Sequence, residues 1–110
     1  MWICVNDGFV SIVEDYHIPG NVLVRGRRHK DVNNFVHGQK PITKTPNNDY
    51  HYRTTITKFE LIGFLVNAVE KINYTNFKNS TKDKVLHGFY NDVWYVGQIN
   101  LNPDYKLLLT

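Results

Sequence analysis

The sequence predicts an α+β fold, with an antiparallel sheet of about four to five strands in its first half and two to three helices packed on one face of that sheet. Three observations carry the expectation. β-branched and aromatic runs separated by turn residues fill positions 1–57, the spacing of apolar residues switches to three and four from Lys58 onward, and the two patterns are segregated rather than alternating. Segregation argues against a parallel βαβ design. A chain of 110 residues, 42% of them hydrophobic and 21% charged, is one domain. Its expected parts are 1–57 (mainly strands plus one short helix), 58–100 (two helices) and a C-terminal tail at 101–110.

Trp2-Ile3-Cys4-Val5 and Phe9-Val10-Ser11-Ile12-Val13 are strand-forming runs flanking Asn6-Asp7-Gly8, a strong hairpin signal. His17-Ile18-Pro19-Gly20-Asn21 is a turn cluster, and Val22 to Arg25 read as the next strand. Asp31 is a candidate N-cap for a short helix over Val32–Val36, closed by Gly38 and Pro41. Pro41–Thr45 and Tyr50–Thr57 are expected to be strands on either side of the turn Pro46-Asn47-Asn48-Asp49. In the second of these, Tyr50, Tyr52, Thr54 and Ile56 are expected on one face and His51, Arg53, Thr55 and Thr57 on the other. Phe59, Ile62, Leu65, Val66, Val69 and Ile72 then recur with helical spacing. Ser80 or Thr81 is expected to cap a further helix that buries Val85, Phe89, Val93 and Val96, with Leu86, Tyr90 and Trp94 at its flanks. The tail carries Leu107-Leu108-Leu109 and would form a final strand or an arm docked on the domain or on a second copy in a homodimer.

Several function classes find no support. No stretch approaches the ~18 apolar residues of a membrane span, and no leader pattern precedes the first strand. One cysteine, Cys4, makes no internal disulfide, so the chain reads as cytosolic, and its sequons at Asn73 and Asn79 carry no weight. The five histidines at 17, 29, 37, 51 and 87 lack the i, i+2 or i, i+4 spacing of metal ligands, so neither a metal nor another cofactor is expected. Phosphate-cradling glycine loops and a nucleophile elbow are missing. Glu14-Asp15 is the only adjacent acidic pair; strand neighbours face opposite ways, so it reads as an exposed strand end.

The charge is unevenly placed. Residues 1–58 hold eight Lys/Arg and five Asp/Glu, residues 59–110 five of each, and all four arginines fall between 25 and 53. Arg25-Gly26-Arg27-Arg28-His29-Lys30 is the sharpest local feature. Arg25 and Arg27 share one side of an extended chain, and with Arg53 across the sheet they would offer planar donor forks to phosphate or carboxylate groups. The competing reading is solvated charge whose stems cover apolar edges. The aromatics of the last helix, Phe89, Tyr90, Trp94 and Tyr95, span more than one face can bury, which leaves ring surface for a partner. The candidate partner-binding residues are therefore Arg25, Arg27, Arg28, Lys30, Tyr52, Arg53, Trp94 and Tyr95. No catalytic residue is assigned. An enzyme site would have to be assembled from Arg53, Asn76, Lys78 and His87.

Trp2, Asn6-Asp7-Gly8-Phe9, Ser11, Val13, Pro19, Leu23-Val24-Arg25, Arg27, Thr45-Pro46, Asp49-Tyr50, Tyr52-Arg53, Asn73-Tyr74 and Asn76-Phe77-Lys78 form a pattern that resembles a family of small uncharacterised bacteriophage and prophage proteins. The resemblance runs to about Trp94. Past that point the tail is longer here, and Lys and Asn are more frequent. It implies a source, the cytoplasm of a host bacterium, and no reaction. Small cofactor-free phage proteins mostly act by binding, so the expectation is a non-enzymatic protein engaging a host protein or ribonucleoprotein complex, for example an inhibitor of host defence such as an anti-CRISPR protein. The alternative is a small basic nucleic-acid-binding accessory protein. A chain of net charge +3 with a basic patch is a poor mimic of DNA.

Overall fold

The computed structural model describes residues 1–104. Strands β1 (Trp2–Val5), β2 (Gly8–Glu14), β3 (Asn21–Gly26), β4 (Thr43–Lys44) and β5 (Tyr52–Thr57) form one sheet in the order β1-β2-β3-β5-β4, with every neighbouring pair antiparallel. Four helices complete it: α1 (His29–Phe35), α2 (Lys58–Glu70), α3 (Phe77–Ser80) and α4 (Lys84–Leu101). The fold is α+β, as the segregated patterns predict. The expected tail contacts of Leu107–Leu109 lie outside the described residues.

Asn6-Asp7 makes the two-residue turn between β1 and β2, which pairs Val5 with Gly8 and Trp2 with Ser11. The next turn is held by Asp15. Its carboxylate accepts from the backbone N–H groups of His17 (2.8 Å) and Ile18 (3.3 Å) and from Thr55 Oγ1 (2.6 Å). Asp15 is thus buried and structural, which corrects its reading as an exposed strand end. Alternation then divides the sheet. Val10, Ile12, Val22, Val24 and Ile56 point to one face and build the core with Val32, Phe35 and Val36 of α1 and Leu61 of α2. Ser11, Arg25 and Arg53 occupy register-matched positions on the opposite face.

Helix α1 lies so close to the sheet that glycine is required beneath it: a Cβ on Gly8 would stand 2.9 Å from the backbone oxygen of Asp31. The helix begins earlier than expected. Arg28 is its N-cap residue, and Asp31 falls in the first turn with its carboxylate turned to Arg28 rather than to the backbone.

The apolar faces of both long helices depart from expectation. Strand β5 runs directly into α2 at Thr57, whose side chain and that of Glu60 form a reciprocal capping box. With no linker to allow rotation, the exit direction of β5 turns Leu61, Phe64 and Leu65 toward the core, while Phe59, Ile62, Val66, Val69 and Ile72 stay exposed. Helix α4 is capped by Asp83, which accepts from the N–H groups of Val85 (3.0 Å) and Leu86 (3.1 Å), and not by Ser80 or Thr81. Two anchors fix its rotation. Asp83 is paired with Arg28 and Lys30, and the Tyr90 hydroxyl donates toward the carbonyls of Val5 and Gly8, both at 2.7 Å. Leu86 and Tyr90 are buried as a result, and Val85, Phe89, Val93 and Val96 face outward. From Asn91 on, no described residue of α4 is buried.

Candidate functional site

The open face of the sheet gathers three of the four arginines. Register places Arg25 between Ser11 on β2 and Arg53 on β5. A terminal nitrogen of Arg25 donates to Ser11 Oγ at 2.7 Å, and Arg53 Nε donates to Thr45 Oγ1 at 3.1 Å and to the Tyr50 carbonyl at 3.4 Å. Tyr50, only 5% exposed, is the hub. The guanidinium carbons of Arg25 and Arg27 lie 4.6 and 4.4 Å from its ring centroid, within the range of cation–π attraction. Stacking holds the two forks in place while leaving in-plane N–H groups for a ligand. Arg25 Nε is buried without an acceptor. Among the described residues, Arg25, Arg27 and Arg53 form no salt bridge.

The rest of the basic run has a different role. Arg28 makes a two-pronged contact with Asp31 (2.6 and 3.1 Å) and reaches Asp83 at 3.0 Å, and Lys30 meets Asp83 at 2.7 Å. Hydrogen bonding from Lys30, then from the Leu86 N–H, with the charge of Arg28 added, holds the Asp83 carboxyl well below the usual carboxylate range. These two cations clamp α1 to the start of α4. Tyr52 is also separated from the arginines. It packs against the core side, edge-on to His29 at 5.6 Å, so Tyr50 and Tyr52 do not share a face. The chain is irregular at 50–51, and β5 starts only at Tyr52.

Beside the arginine cluster lies a groove of about 490 Å³ between the hairpin and α4. Its floor and walls come from Trp2, Phe9, Tyr50, Val85, Phe89 and Val93, and its charged lining from Arg27, Arg28 and Asp31. Trp2 and Phe9 meet edge-on (6.3 Å), and Phe9 packs on Phe89 (5.0 Å), so a ladder of rings joins sheet to helix. Trp2 is 74% and Val85 72% exposed, an unusual waste of apolar surface for a small domain. Cys4, an exposed residue, also lines the groove; partial desolvation by its neighbours pushes the thiol pKa up, which disfavours the nucleophilic thiolate. Trp94 and Tyr95 are half exposed but do not line the groove, and Lys78 Nζ sits 5.4 Å over the Trp94 ring.

Sequence reasoning missed Trp2, Phe9 and Tyr50, and it placed Val85, Phe89 and Val93 in the core. The available signal was the surplus of apolar residues on α4, more than one face can bury. Of the residues weighed for an enzyme site, His87 and Lys78 meet, with His87 Nδ1 on the Lys78 carbonyl (2.6 Å), and Asn76 caps α3, the short helix that carries Lys78; Arg53 bonds instead to Thr45 and Tyr50. Among the described residues, no group of three or more His, Cys, Asp or Glu is placed to hold a metal ion, and no helix is long and apolar enough to cross a membrane. Comparison with protein-family models, curated proteins and solved structures finds no match.

Proposed function

We propose that this chain acts by binding another macromolecule rather than by catalysis, through the face that joins the Arg25–Tyr50–Arg27–Arg53 cluster to the groove under α4. The observation that carries the reading is the juxtaposition of three arginines that have no carboxylate partner among the described residues with an exposed apolar groove lined by aromatic rings. Interfaces of this kind concentrate arginine and aromatic side chains at their centres. The resemblance to phage proteins points to a host complex in the bacterial cell as the partner, and inhibition of host defence as the role.

Nucleic acid is the second reading, because the same forks fit phosphate. Capture of the tagged chain from a bacterial lysate, with and without nuclease and at two salt concentrations, tests both. The expected result is a protein retained after nuclease treatment and at the higher salt. Retention of nucleic acid that fades steeply with salt would move the second reading into first place. A chain that retains nothing would overturn both.

A further inference from the structure

We infer that the groove takes an extended peptide segment in which an Asp or Glu lies within about three residues of bulky apolar side chains. The inference rests on the binding reading above and deepens it by naming the ligand chemistry. Two observations define that chemistry. The groove itself is almost entirely apolar, and at about 490 Å³ it has room for two or three large side chains of a ligand laid between Trp2 and Phe9 on the sheet and Val85, Phe89 and Val93 on α4. Its charged lining is Arg27, Arg28 and Asp31, and the last two are paired with each other. Arg27 stacks on Tyr50 beside Arg25, and Arg53 bonds to the Tyr50 carbonyl.

Charge complementarity therefore calls for one compact anionic group next to apolar bulk. The alternative anion, a nucleic-acid backbone, needs cations spaced along a track. That track is cut here. Arg28 and Lys30, the next two cations in the run, are neutralised by Asp31 and Asp83. Of that run, Arg25 and Arg27 are left, and their cluster with Arg53 suits the fork-to-carboxylate pairing of arginine with an acidic side chain.

A random dodecapeptide library displayed on filamentous phage, panned against the immobilised full chain, tests this. The expected result is enrichment of peptides carrying Asp or Glu near Trp, Phe or Leu. A synthetic consensus peptide should lose at least tenfold in affinity against Arg27→Glu, and likewise against Val85→Glu/Val93→Glu, with all variants keeping the wild-type circular dichroism. Both helix positions are exposed, so folding should survive. Three results would overturn the inference: no enrichment; enriched peptides that lack acids or are basic; or binding indifferent to the groove substitutions. Tighter binding of a twelve-residue oligothymidine to the same residues would overturn it in favour of nucleic acid. The lysate experiment separates the two levels. A captured protein that binds the groove variants as well as wild type sinks the inference and leaves the binding reading standing, whereas capture of nothing sinks the binding reading itself.

Discussion

Arg25-Gly26-Arg27 and Arg28-His29-Lys30 are neighbours in sequence with opposite fates in the fold. The second half meets carboxylates. Arg28 and Lys30 converge on Asp31 and Asp83 and tie α1 to the cap of α4. The first half, still on or just past β3, faces the open side of the sheet, where Tyr50 and Ser11 are its neighbours and no carboxylate among the described residues pairs with it. The difference teaches that a cluster of like charges in sequence is not one functional unit. The strand-to-helix transition at Gly26–His29 sorts it into a structural clamp and an uncompensated cluster. Mutation should then separate the halves: the clamp in stability, the cluster in binding.

The largest expected effect comes from breaking the clamp. Asp31 is 4% exposed, and Arg28→Ala leaves its carboxylate buried without its two-pronged partner, at a cost of about 3 kcal/mol in urea unfolding. A loss below about 1 kcal/mol would mean that Arg28 is as solvated as an ordinary surface residue. Next is Tyr90→Phe. The hydroxyl serves the carbonyls of both Val5 and Gly8, and burial raises its pKa, so it remains a donor at physiological pH. Removing it leaves two acceptors without that donor and should cost about 1–2 kcal/mol. Because α4 forms one wall of the groove, this variant should also bind more weakly than its residual folded fraction accounts for. Equal affinity per folded molecule would show that the hydroxyl does not set the position of the helix.

Acid should weaken the same clamp. The Asp83 carboxyl is lowered from its ordinary value of 3.8, first by Lys30 and then by the Leu86 N–H and Arg28, and Asp15 is lowered from 3.8 chiefly by Thr55. Each binds its proton less tightly folded than unfolded. Their contribution is therefore fully present above about pH 4 and is lost as the pH falls through the lowered values. Urea midpoints should be flat from pH 7 to 5 and drop steadily below pH 4. Asp83→Asn should be less stable at pH 7 and show a shallower drop. An Asp83→Asn profile parallel to wild type would remove Asp83 from this account.

How much of this was legible in the sequence depended on whether the information was local. The hairpin at Asn6-Asp7 and the onset of α2 follow from neighbouring residues, and both appear where expected. The inward faces of the helices were not legible. In α2, both Phe59-Ile62-Val66-Val69 and Leu61-Phe64-Leu65-Ala68 satisfy helical spacing, and the choice between them is made by the exit angle of β5. In α4 it is made by Tyr90 reaching residues more than eighty positions away. The pairing of Arg25 with Arg53 across the sheet could be anticipated from strand alternation. The sorting of Arg28 and Lys30 away from them could not, because Asp83 is distant in sequence.

The smallest stability effect is the most informative for function. Arg27 is exposed, forms no salt bridge among the described residues, and meets Tyr50 only through its face. Arg27→Ala should lower stability by no more than about 0.5–1 kcal/mol, the worth of an exposed cation–π contact. Arg25→Ala should cost more, since it also removes the donor to the buried Ser11 hydroxyl. Partner capture should follow a different order: both alanine variants lose it, whereas Lys30→Ala, at a clamp residue that does not line the groove, retains it. Capture lost with Lys30→Ala and kept with Arg27→Ala would move the binding surface to the clamp and reverse the division of labour within the run. The expected pattern would mean that the residue contributing least to the fold is kept there for the partner.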